Sequence, residues 1–394
     1  MHTLSLEQEP ANYLLSTVSV WATFTLIGLT FTVFGSTIPF LFSDFQITLA
    51  QAGLLVTFMA TGRMVSVVGS GVLADSFGRK PLLILGASLL TLGLMGIGTI
   101  TIFPLALLFA AFAGVGHGMV DTSGSAVISD LNNDNLSKAL NMTHMFFGVG
   151  CLLGPLLAGT VLSLGYHWRI IYYIKAAIGL SIICFISFQT FPAKTVNHQS
   201  LQRFSGLLSI GLLALGIVIF IYSGVGHSLN TWISSYMRDI AHVPVFLATG
   251  TLAIYNLGIT LGRLVTSFAS KKLDDTILIL IMSILSLASI SLALFSTSGA
   301  VIILCLGFTG FFFGGLFPTV IAIAGRLYPE RRGTITGLLV MAASLGSMTI
   351  PASTGFLAHS WGLTVSLRLS IILIFVLVLT ALVLQNQVQA NTKA

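Results

Sequence analysis

Twelve apolar segments, each about 20 residues or longer, divide this chain and limit its fold more than any other feature. In an α-helix, a segment of that length crosses the hydrocarbon core of a bilayer, which is about 30 Å thick. The segments lie at about 15–41, 48–71, 81–102, 104–130, 139–164, 168–191, 204–228, 244–269, 276–297, 299–326, 334–358 and 363–385. They lack the period-two alternation of barrel strands, so we expect an all-α polytopic membrane protein with twelve transmembrane helices.

The composition excludes a soluble alternative. Only 7% of the 394 residues are charged and 55% are hydrophobic, whereas ordinary soluble domains contain about 25% charged residues. A soluble chain of this length forms two or three cores, and this chain has too few charges to cover their solvated faces. The N-terminal sequence MHTLSLEQEP is polar and acidic, so we do not expect a cleaved signal peptide.

The basic residues are distributed unevenly among the loops. The loops after even-numbered segments and the tail contain eleven: Arg79, Lys80, Lys138, Lys194, Arg203, Lys271, Lys272, Arg326, Arg331, Arg332 and Lys393. The opposite loops contain Arg169 and Arg238. Because basic loops stay in the cytoplasm, this bias predicts a multi-pass protein of the bacterial cytoplasmic membrane with both termini inside. The net charge of +6 follows from the same bias, so no nucleic-acid partner is expected.

The sequence also contains an internal repeat. TGRMVS at 61–66 returns as LGRLVT at 261–266, and GCLLGPLLAG at 150–159 matches GSMTIPASTG at 346–355 in two glycines and a proline. Two six-helix halves are typical of transporters that rock one half against the other. The predicted parts are an N-terminal six-helix half at 1–191, a cytoplasmic linker at 192–203 and a C-terminal six-helix half at 204–394.

The stretch GVLADSFGRK, residues 71–80, resembles the loop signature of the major facilitator superfamily between its second and third helices. Asp75 is expected at the cytoplasmic membrane edge, and Gly78 permits a tight turn. The resemblance implies a conformational latch that consists of Gly71, Asp75, Gly78, Arg79 and Lys80. Ser76 replaces the usual arginine, which implies a weaker latch, and the second copy, SFASKKLDD, keeps only a basic patch.

Three other stretches resemble the fucose, galactose and glucose proton symporters of that superfamily. They are GVGHGMVDTSGSAVISDL in helix four, YSGVGHSLNTWISSYM in helix seven and FFFGGLFPTVIAIAG in helix ten. The resemblance places Asp121 at the acidic position of helix four and implies a proton-coupled symporter for a sugar or a similar polar solute. Gly226 replaces a glutamate of many relatives and Ser125 replaces an asparagine, so the resemblance does not imply which solute.

His117 and Asp121 are four residues apart and therefore share one face of helix four. An ionised carboxylate in hydrocarbon costs several kcal/mol, so Asp121 must face a cavity, have a partner or stay protonated. We predict a proton-coupling group in which Asp121 carries the proton and Arg63 of helix two is the counter-charge, while His117 donates a hydrogen bond, relays the proton or contacts the substrate. The alternatives are a static contact between helices for Asp121 and His117 and snorkelling to the interface for Arg63. Lys175 and Arg368, near outer helix ends, are expected to snorkel.

The predicted substrate-binding residues are His227, Asn230, Trp232 and Tyr236 in helix seven and Asn256 in helix eight. Aromatic platforms with amide and ring hydrogen-bonding groups are typical of sites for sugars and other polyols. The alternative places Trp232 and Tyr236 in the aromatic belt at the membrane surface. The phenylalanines at 311–313 and 317 are expected to pack as a gate or core.

No nucleophile–base pair, P-loop or metal-ligand spacing occurs in the sequence, so we expect neither an enzyme nor an ATP-driven pump. The cysteines Cys151, Cys184 and Cys305 lie singly in separate segments, and no metal or cofactor is expected. The prediction is a monomeric secondary transporter with H⁺ as coupling ion and a small solute and lipid as partners. The alternatives are an exporter of amphipathic compounds, favoured by GCLLGPLLAG, and a sensor that binds solute without moving it.

Overall fold

The computed structural model describes residues 10–131, 136–189, 191, 210–239, 242–270, 272–328 and 332–393. The described ranges are almost entirely helical and contain no strand, which confirms the all-α class. The predicted linker at 192–203 lies outside them.

Fourteen helices follow one another along the described chain. They are α1 (Pro10–Phe31), α2 (Val33–Phe45), α3 (Leu49–Phe77), α4 (Arg79–Thr99), α5 (Phe103–Leu131), α6 (Leu136–Ser163), α7 (Arg169–Ser187), α8 (Ile210–Asp239), α9 (Val245–Ala269), α10 (Asp275–Phe295), α11 (Gly299–Gly314), α12 (Leu316–Leu327), α13 (Arg332–Trp361) and α14 (Leu363–Lys393). The helices α1 and α2 together form one span, and so do α11 and α12. The fourteen helices therefore correspond to the twelve predicted segments. Among the described residues, eleven spans are apolar and long enough to cross a membrane. The twelfth segment, α3, has 29 residues and contains Arg63.

Several predicted helix ends are wrong, two of them in helices that carry predicted functional residues. The seventh segment was expected to end at 228, but α8 continues to Asp239, and α3 continues past 71 to Phe77. The extra turns of α8 contain the polar residues Asn230 and Ser234. In the structure these side chains are buried between helices, so their polarity does not end the helix.

Dense packing divides the chain into two compact units. Unit 1 consists of Met1–Phe31, Thr61–Cys151 and Arg169–His198, and unit 2 consists of Thr32–Ala60, Leu152–Trp168 and Gln199–Ala394. The boundaries cut through α3 and α6, so each of these continuous helices contributes to both units. The division of the sequence into repeated halves at 1–191 and 204–394 stays a prediction.

In unit 1, α5 packs against α1 and α4, and α7 packs against the same two helices. The helix α1 ends at Phe31, and the last carbonyl groups of a helix lack donors within it. One of them, that of Leu29, accepts a hydrogen bond of 2.7 Å from Nζ of Lys175 on α7. Lys175 is fully buried, so the prediction that it snorkels is wrong. Its ammonium group turns inward because the end of α1 offers it a carbonyl group.

In unit 2, α8 packs against α13 and α2, and α9 packs against α11. The crossing of α2 and α8 is so close that it requires a glycine. A Cβ atom added to Gly35 would lie 1.8 Å from the carbonyl oxygen of Asn230. This contact fixes the part of α8 that carries the predicted substrate-binding residues.

Candidate functional site

An ion pair links α3 and α5 in unit 1. Nη2 of Arg63 donates a hydrogen bond to Oδ2 of Asp121 at 2.8 Å. The two side chains are 38% and 23% exposed, so the pair borders open space and is not sealed in the core. This geometry favours the interpretation of Arg63 as counter-charge over the snorkelling alternative. That Asp121 carries a coupled proton stays a prediction.

A glycine permits the close approach of the two helices that carry this pair. A Cβ atom at Gly118 would lie 2.1 Å from Oγ of Ser66 and 2.7 Å from the carbonyl oxygen of Arg63. On the preceding turns, a Cβ atom at Gly62 would lie 2.3 Å from the carbonyl oxygen of Ala111. The helix backbones are therefore nearly in contact, which brings a short aspartate within reach of the arginine.

Two histidines lie within electrostatic range of the Asp121 carboxyl group. His117 is 1% exposed, and its ring centroid lies 6.2 Å from that of Phe147. His144 of α6 packs edge-on against Phe24 at 5.4 Å. His144 was not predicted at this site because it lies on another helix. No cluster of three or more metal-ligating side chains occurs in the part of the chain that the structure describes.

A buried pair of amides occupies unit 2. Nδ2 of Asn256 on α9 donates to Oδ1 of Asn230 on α8 at 2.8 Å and to the carbonyl oxygen of Leu252 at 2.9 Å. Nδ2 of Asn230 donates to the carbonyl oxygen of Gly226 at 2.9 Å. On the same helix, Nδ1 of His227 lies 2.8 Å from the carbonyl oxygen of Ser223. The structure thus brings together the two predicted amides, both of them neutral.

Trp232 and Tyr236 are buried in unit 2, at 0% and 1% exposure. Nε1 of Trp232 donates to the carbonyl oxygen of Pro351 on α13 at 3.2 Å, and a Cβ atom at Gly355 would lie 2.8 Å from its ring. A belt residue faces the membrane surface, so the belt alternative is wrong for both. In this structure Trp232 holds α8 against α13. A role for the two rings in solute binding stays a prediction.

A buried tyrosine beside the amides was missed from the sequence. Tyr255 precedes Asn256 on α9 and is fully buried, and its hydroxyl group lies 3.6 Å from a Cβ atom added to Gly226. Next to it, the ring of Tyr222 lies 5.5 Å from that of Phe313 and 6.3 Å from that of Phe317. Only the adjacency of Tyr255 to Asn256 would have indicated it. Phe313 and Phe317 thus pack against Tyr222, in line with the expectation that they form a core.

The latch residues that the structure describes make contacts inside unit 1. Nε and Nη2 of Arg79 donate to the two carboxylate oxygens of Asp130 at 2.7 and 3.3 Å. Nζ of Lys80 donates to the carbonyl oxygens of Ser187 and Gln189 at the end of α7, where a cation is favourable. Gly78 has a φ of 90°, which favours glycine. The other two latch residues, Gly71 and Asp75, are not among those whose side chains the structure describes.

The second copy contains an equivalent pair with the charges exchanged. The shift of 196 residues that aligns Gly150 with Gly346 also aligns Arg79 with Asp275 and Asp130 with Arg326. Arg326 donates to the carboxylate of Asp275, so the aspartate and the arginine have traded helices. The second copy therefore keeps more than the basic patch expected from its sequence. The sequence of one copy of the repeat, taken alone, does not reveal such a pair.

Known relatives of this chain include transporters with different solutes. It is 26% identical over 317 residues to the uncharacterized MFS-type transporter YfkL of Bacillus subtilis, covering 78% of this chain and 80% of that one. It is 22% identical to the glucose/mannose transporter GlcP of the same bacterium, covering 85% and 86%. It is also 22% identical to the multidrug resistance protein fnx1 of Schizosaccharomyces pombe, covering 84% and 76%.

The fold matches solved transporter structures over nearly the whole chain. A bacterial homolog of the human lysosomal transporter Spinster, inward-facing and unoccupied, has a TM-score of 0.80 at 14% identity and covers 96% of this chain and 98% of that one. A D-xylose–proton symporter has a TM-score of 0.74 at 15% identity, with 94% and 97% covered. The sequence model of the Major Facilitator Superfamily matches residues 20–308 and 252–393. The chain therefore belongs to the Major Facilitator Superfamily of membrane transporters, as its sequence motifs predicted.

Proposed function

We propose that this transporter is a secondary active carrier that couples a small polar solute, expected to be a sugar, to protons by alternating access. The contact between Arg63 and Asp121 is the observation that carries the proposal. A carboxylate paired with a guanidinium is held in its charged form, whereas a protonated carboxyl group releases the arginine. Protonation of Asp121 thus changes the contact between α3 and α5.

The exposure of this pair is compatible with proton exchange. The Asp121 side chain is 23% exposed, so its carboxyl group is not enclosed by protein on all sides. A sealed ion pair would lack contact with water, and a fully exposed one would have little effect on the helices because water screens it. The pair has the intermediate burial that suits a group which both exchanges protons and affects helix packing.

The neutral cluster of unit 2 supports a hydroxylated solute. Amides and aromatic rings bind sugars through hydrogen bonds and stacking, and no ionised partner is needed. The relatives named as a glucose/mannose transporter and a D-xylose–proton symporter agree with this class of solute. Of the predicted binding residues, Asn230 and Asn256 are the two that the structure brings into direct contact.

The test is Asp121→Asn in proteoliposomes, with a solute found by a thermal-shift screen of the purified protein against sugars and drugs. Asparagine mimics the protonated carboxyl group at every pH. Accumulation driven by a pH gradient is expected to vanish, while equilibrium exchange of solute continues. Asp239→Asn is the matched control and should keep both activities, because among the described residues this carboxylate pairs with the neighbouring Arg238 alone. Persistent accumulation in Asp121→Asn would refute the coupling role.

A second candidate function is export of amphipathic compounds. The sequence GCLLGPLLAG, the relative named as a multidrug resistance protein and the ring cluster of Tyr222, Phe313 and Phe317 favour it. The same thermal-shift screen separates the two candidates. Stabilisation by cationic drugs and by no sugar, with drug uptake into inside-out vesicles, would replace the sugar symporter by the exporter.

The proposed location is the bacterial cytoplasmic membrane with both termini inside, on the strength of the basic loops. Labelling of single cysteines in intact cells tests it, in a background that lacks Cys151, Cys184 and Cys305. A cysteine at His242 should react with an impermeant reagent, and one at Gln199 should not. The reverse pattern would invert the topology.

A further inference from the structure

The hydroxyl group of Tyr255 is one of several buried polar groups of unit 2 that have no hydrogen-bond partner among the described residues. Tyr255 is fully buried, and its hydroxyl group forms no hydrogen bond with any residue that the structure describes. A buried hydroxyl group without a partner is destabilising, and proteins satisfy nearly all such groups. A donor kept at this cost is expected to bind something other than the protein itself.

The hydroxyl group points toward a gap left by a glycine. A Cβ atom at Gly226 would lie 3.6 Å from it and 3.9 Å from the ring of Phe313, which are ordinary contact distances. Gly226 itself is partly exposed. The gap is therefore bounded by a phenol and an aromatic ring, and the absence of a side chain at Gly226 keeps it open.

Further neutral polar groups surround the gap. The carbonyl oxygen of Gly226 accepts from Asn230, whose own oxygen accepts from Asn256, the residue next to Tyr255. Tyr222 completes the wall through its contact with Phe313. These groups are amides, phenols and an aromatic ring, so they suit hydrogen bonds to hydroxyl groups and stacking on an apolar sugar face. They offer no ion-pair partner for a charged solute.

We propose that Tyr255 binds the solute by a hydrogen bond from its hydroxyl group to a hydroxyl group of a neutral sugar, and that Gly226 is the specificity-determining position that leaves space beside this donor. The inference rests on the proposed function, because it assigns the solute class of the same carrier. It adds a binding residue and a steric determinant to that function.

The test compares Tyr255→Phe and Gly226→Ala with wild type in the purified full-length protein. The probes are D-glucose, D-mannose, D-galactose, D-xylose and L-fucose, the monodeoxy analogues of whichever sugar binds, and ethidium as a cation. Tyr255→Phe should weaken binding of the sugar about tenfold or more, because one hydrogen bond is lost. Gly226→Ala should weaken it as well, because the methyl group fills the space beside the hydroxyl group. Tyr166→Phe, at an exposed tyrosine, is the matched control and should change nothing.

Two further measurements separate binding from structure. Removal of a hydroxyl group that holds the fold together lowers the unfolding temperature of the solute-free protein, whereas Tyr255→Phe should leave it unchanged or raise it. One monodeoxy sugar should bind wild type weakly, and its affinity should not fall further in Tyr255→Phe. The deoxy substitution in the sugar and the loss of the phenol hydroxyl group in the protein remove the same hydrogen bond.

Each outcome has a distinct consequence. Sugar binding that is equal in wild type and Tyr255→Phe would overturn the inference and leave the proposed function in place. Binding of ethidium and of none of the sugars would overturn both. Sugar binding that depends on Tyr255, together with accumulation that ignores the pH gradient, would overturn the proton coupling and support the inference.

Discussion

The polar clusters of the two units differ in charge, although one helix of each, α3 and α9, contains the matching sequences TGRMVS and LGRLVT. The shift of 196 residues that aligns Pro155 with Pro351 places Asp121 on Phe317 and His117 on Phe313. One copy thus carries an ion pair beside a histidine, and the other carries aromatic rings beside two amides. In unit 1 the pair is between charged groups at 2.8 Å, and in unit 2 the pair is between neutral groups at the same distance.

The difference agrees with the proposed division of roles between the two copies of the repeat. A charged pair changes strongly when a proton binds, whereas an amide pair does not titrate in the physiological range. The arginines of α3 and α9 show the same contrast. Arg63 is paired, whereas the side chain of its repeat partner Arg263 forms no hydrogen bond or ion pair with residues in the described ranges. The geometry therefore suits unit 1 for the proton and unit 2 for the neutral solute.

The largest effect on stability is expected at a feature that both copies of the repeat share, a glycine at which two helices approach closely. Gly314 is the repeat partner of Gly118, and a Cβ atom there would lie 2.2 Å from the carbonyl oxygen of Ile259. Gly118→Val and Gly314→Val should each destabilise the protein by about 3 kcal/mol or more, because backbone atoms cannot move aside. Thermal unfolding measures this. Gly250→Val, where a Cβ atom meets nothing within 4 Å, is the control and should be near neutral. A large loss of stability in only one of the two variants would show that the two glycine positions are not structurally equivalent.

The next effect concerns the charged pair. A double-mutant cycle with Arg63→Ala and Asp121→Ala should give a coupling energy of about 1.5–3 kcal/mol, toward the lower end because the arginine is 38% exposed. The double variant should be more stable than the additive effect of the single variants predicts, since neither charge is left alone. Unfolding of all four proteins at one pH provides the measurement. A coupling energy near zero would make the contact incidental.

Part of this comparison could be predicted from the sequence. The number of spans and the depth of Arg63 and Asp121 follow from hydropathy, because the membrane fixes helix length and depth. Lys175 could not be predicted, since its partner is a main-chain carbonyl freed where α1 ends, and no side-chain pattern marks that break. Tyr255 was missed for a related reason. A tyrosine in an apolar helix resembles any core residue until the packing shows whether its hydroxyl group has a partner.

A smaller effect is expected for the neutral pair. The cycle with Asn230→Ala and Asn256→Ala should give about 0.5–1.5 kcal/mol, the range for a hydrogen bond between uncharged groups. The coupling should also be independent of pH between 5 and 8, because neither amide titrates there. The measurement is the same unfolding assay, run at both pH values. A coupling energy above that of Arg63 with Asp121 would reverse the order on which the division of roles depends.

The smallest effect is expected at one of the two exchanged ion pairs, that of Arg326, because the two pairs differ in exposure. Arg79 and Asp130 are 16% and 12% exposed, whereas the side chain of Arg326 is 61% exposed beside Asp275. Water screens an exposed guanidinium, so Arg326→Ala should destabilise the protein by about 1 kcal/mol or less. Arg79→Ala should cost more, because it removes two hydrogen bonds and leaves Asp130 largely buried without this partner.

Salt sharpens the same contrast. Raising the ionic strength should reduce the difference between wild type and Arg326→Ala, while the difference for Arg79→Ala persists, because buried charges are screened less than exposed ones. Thermal unfolding of the three proteins at low and high NaCl measures both differences. Equal salt sensitivity at the two positions would show that exposure does not set the strength of these pairs. It would then not matter for stability which helix carries the aspartate and which the arginine. Only the contact between the two helices would contribute.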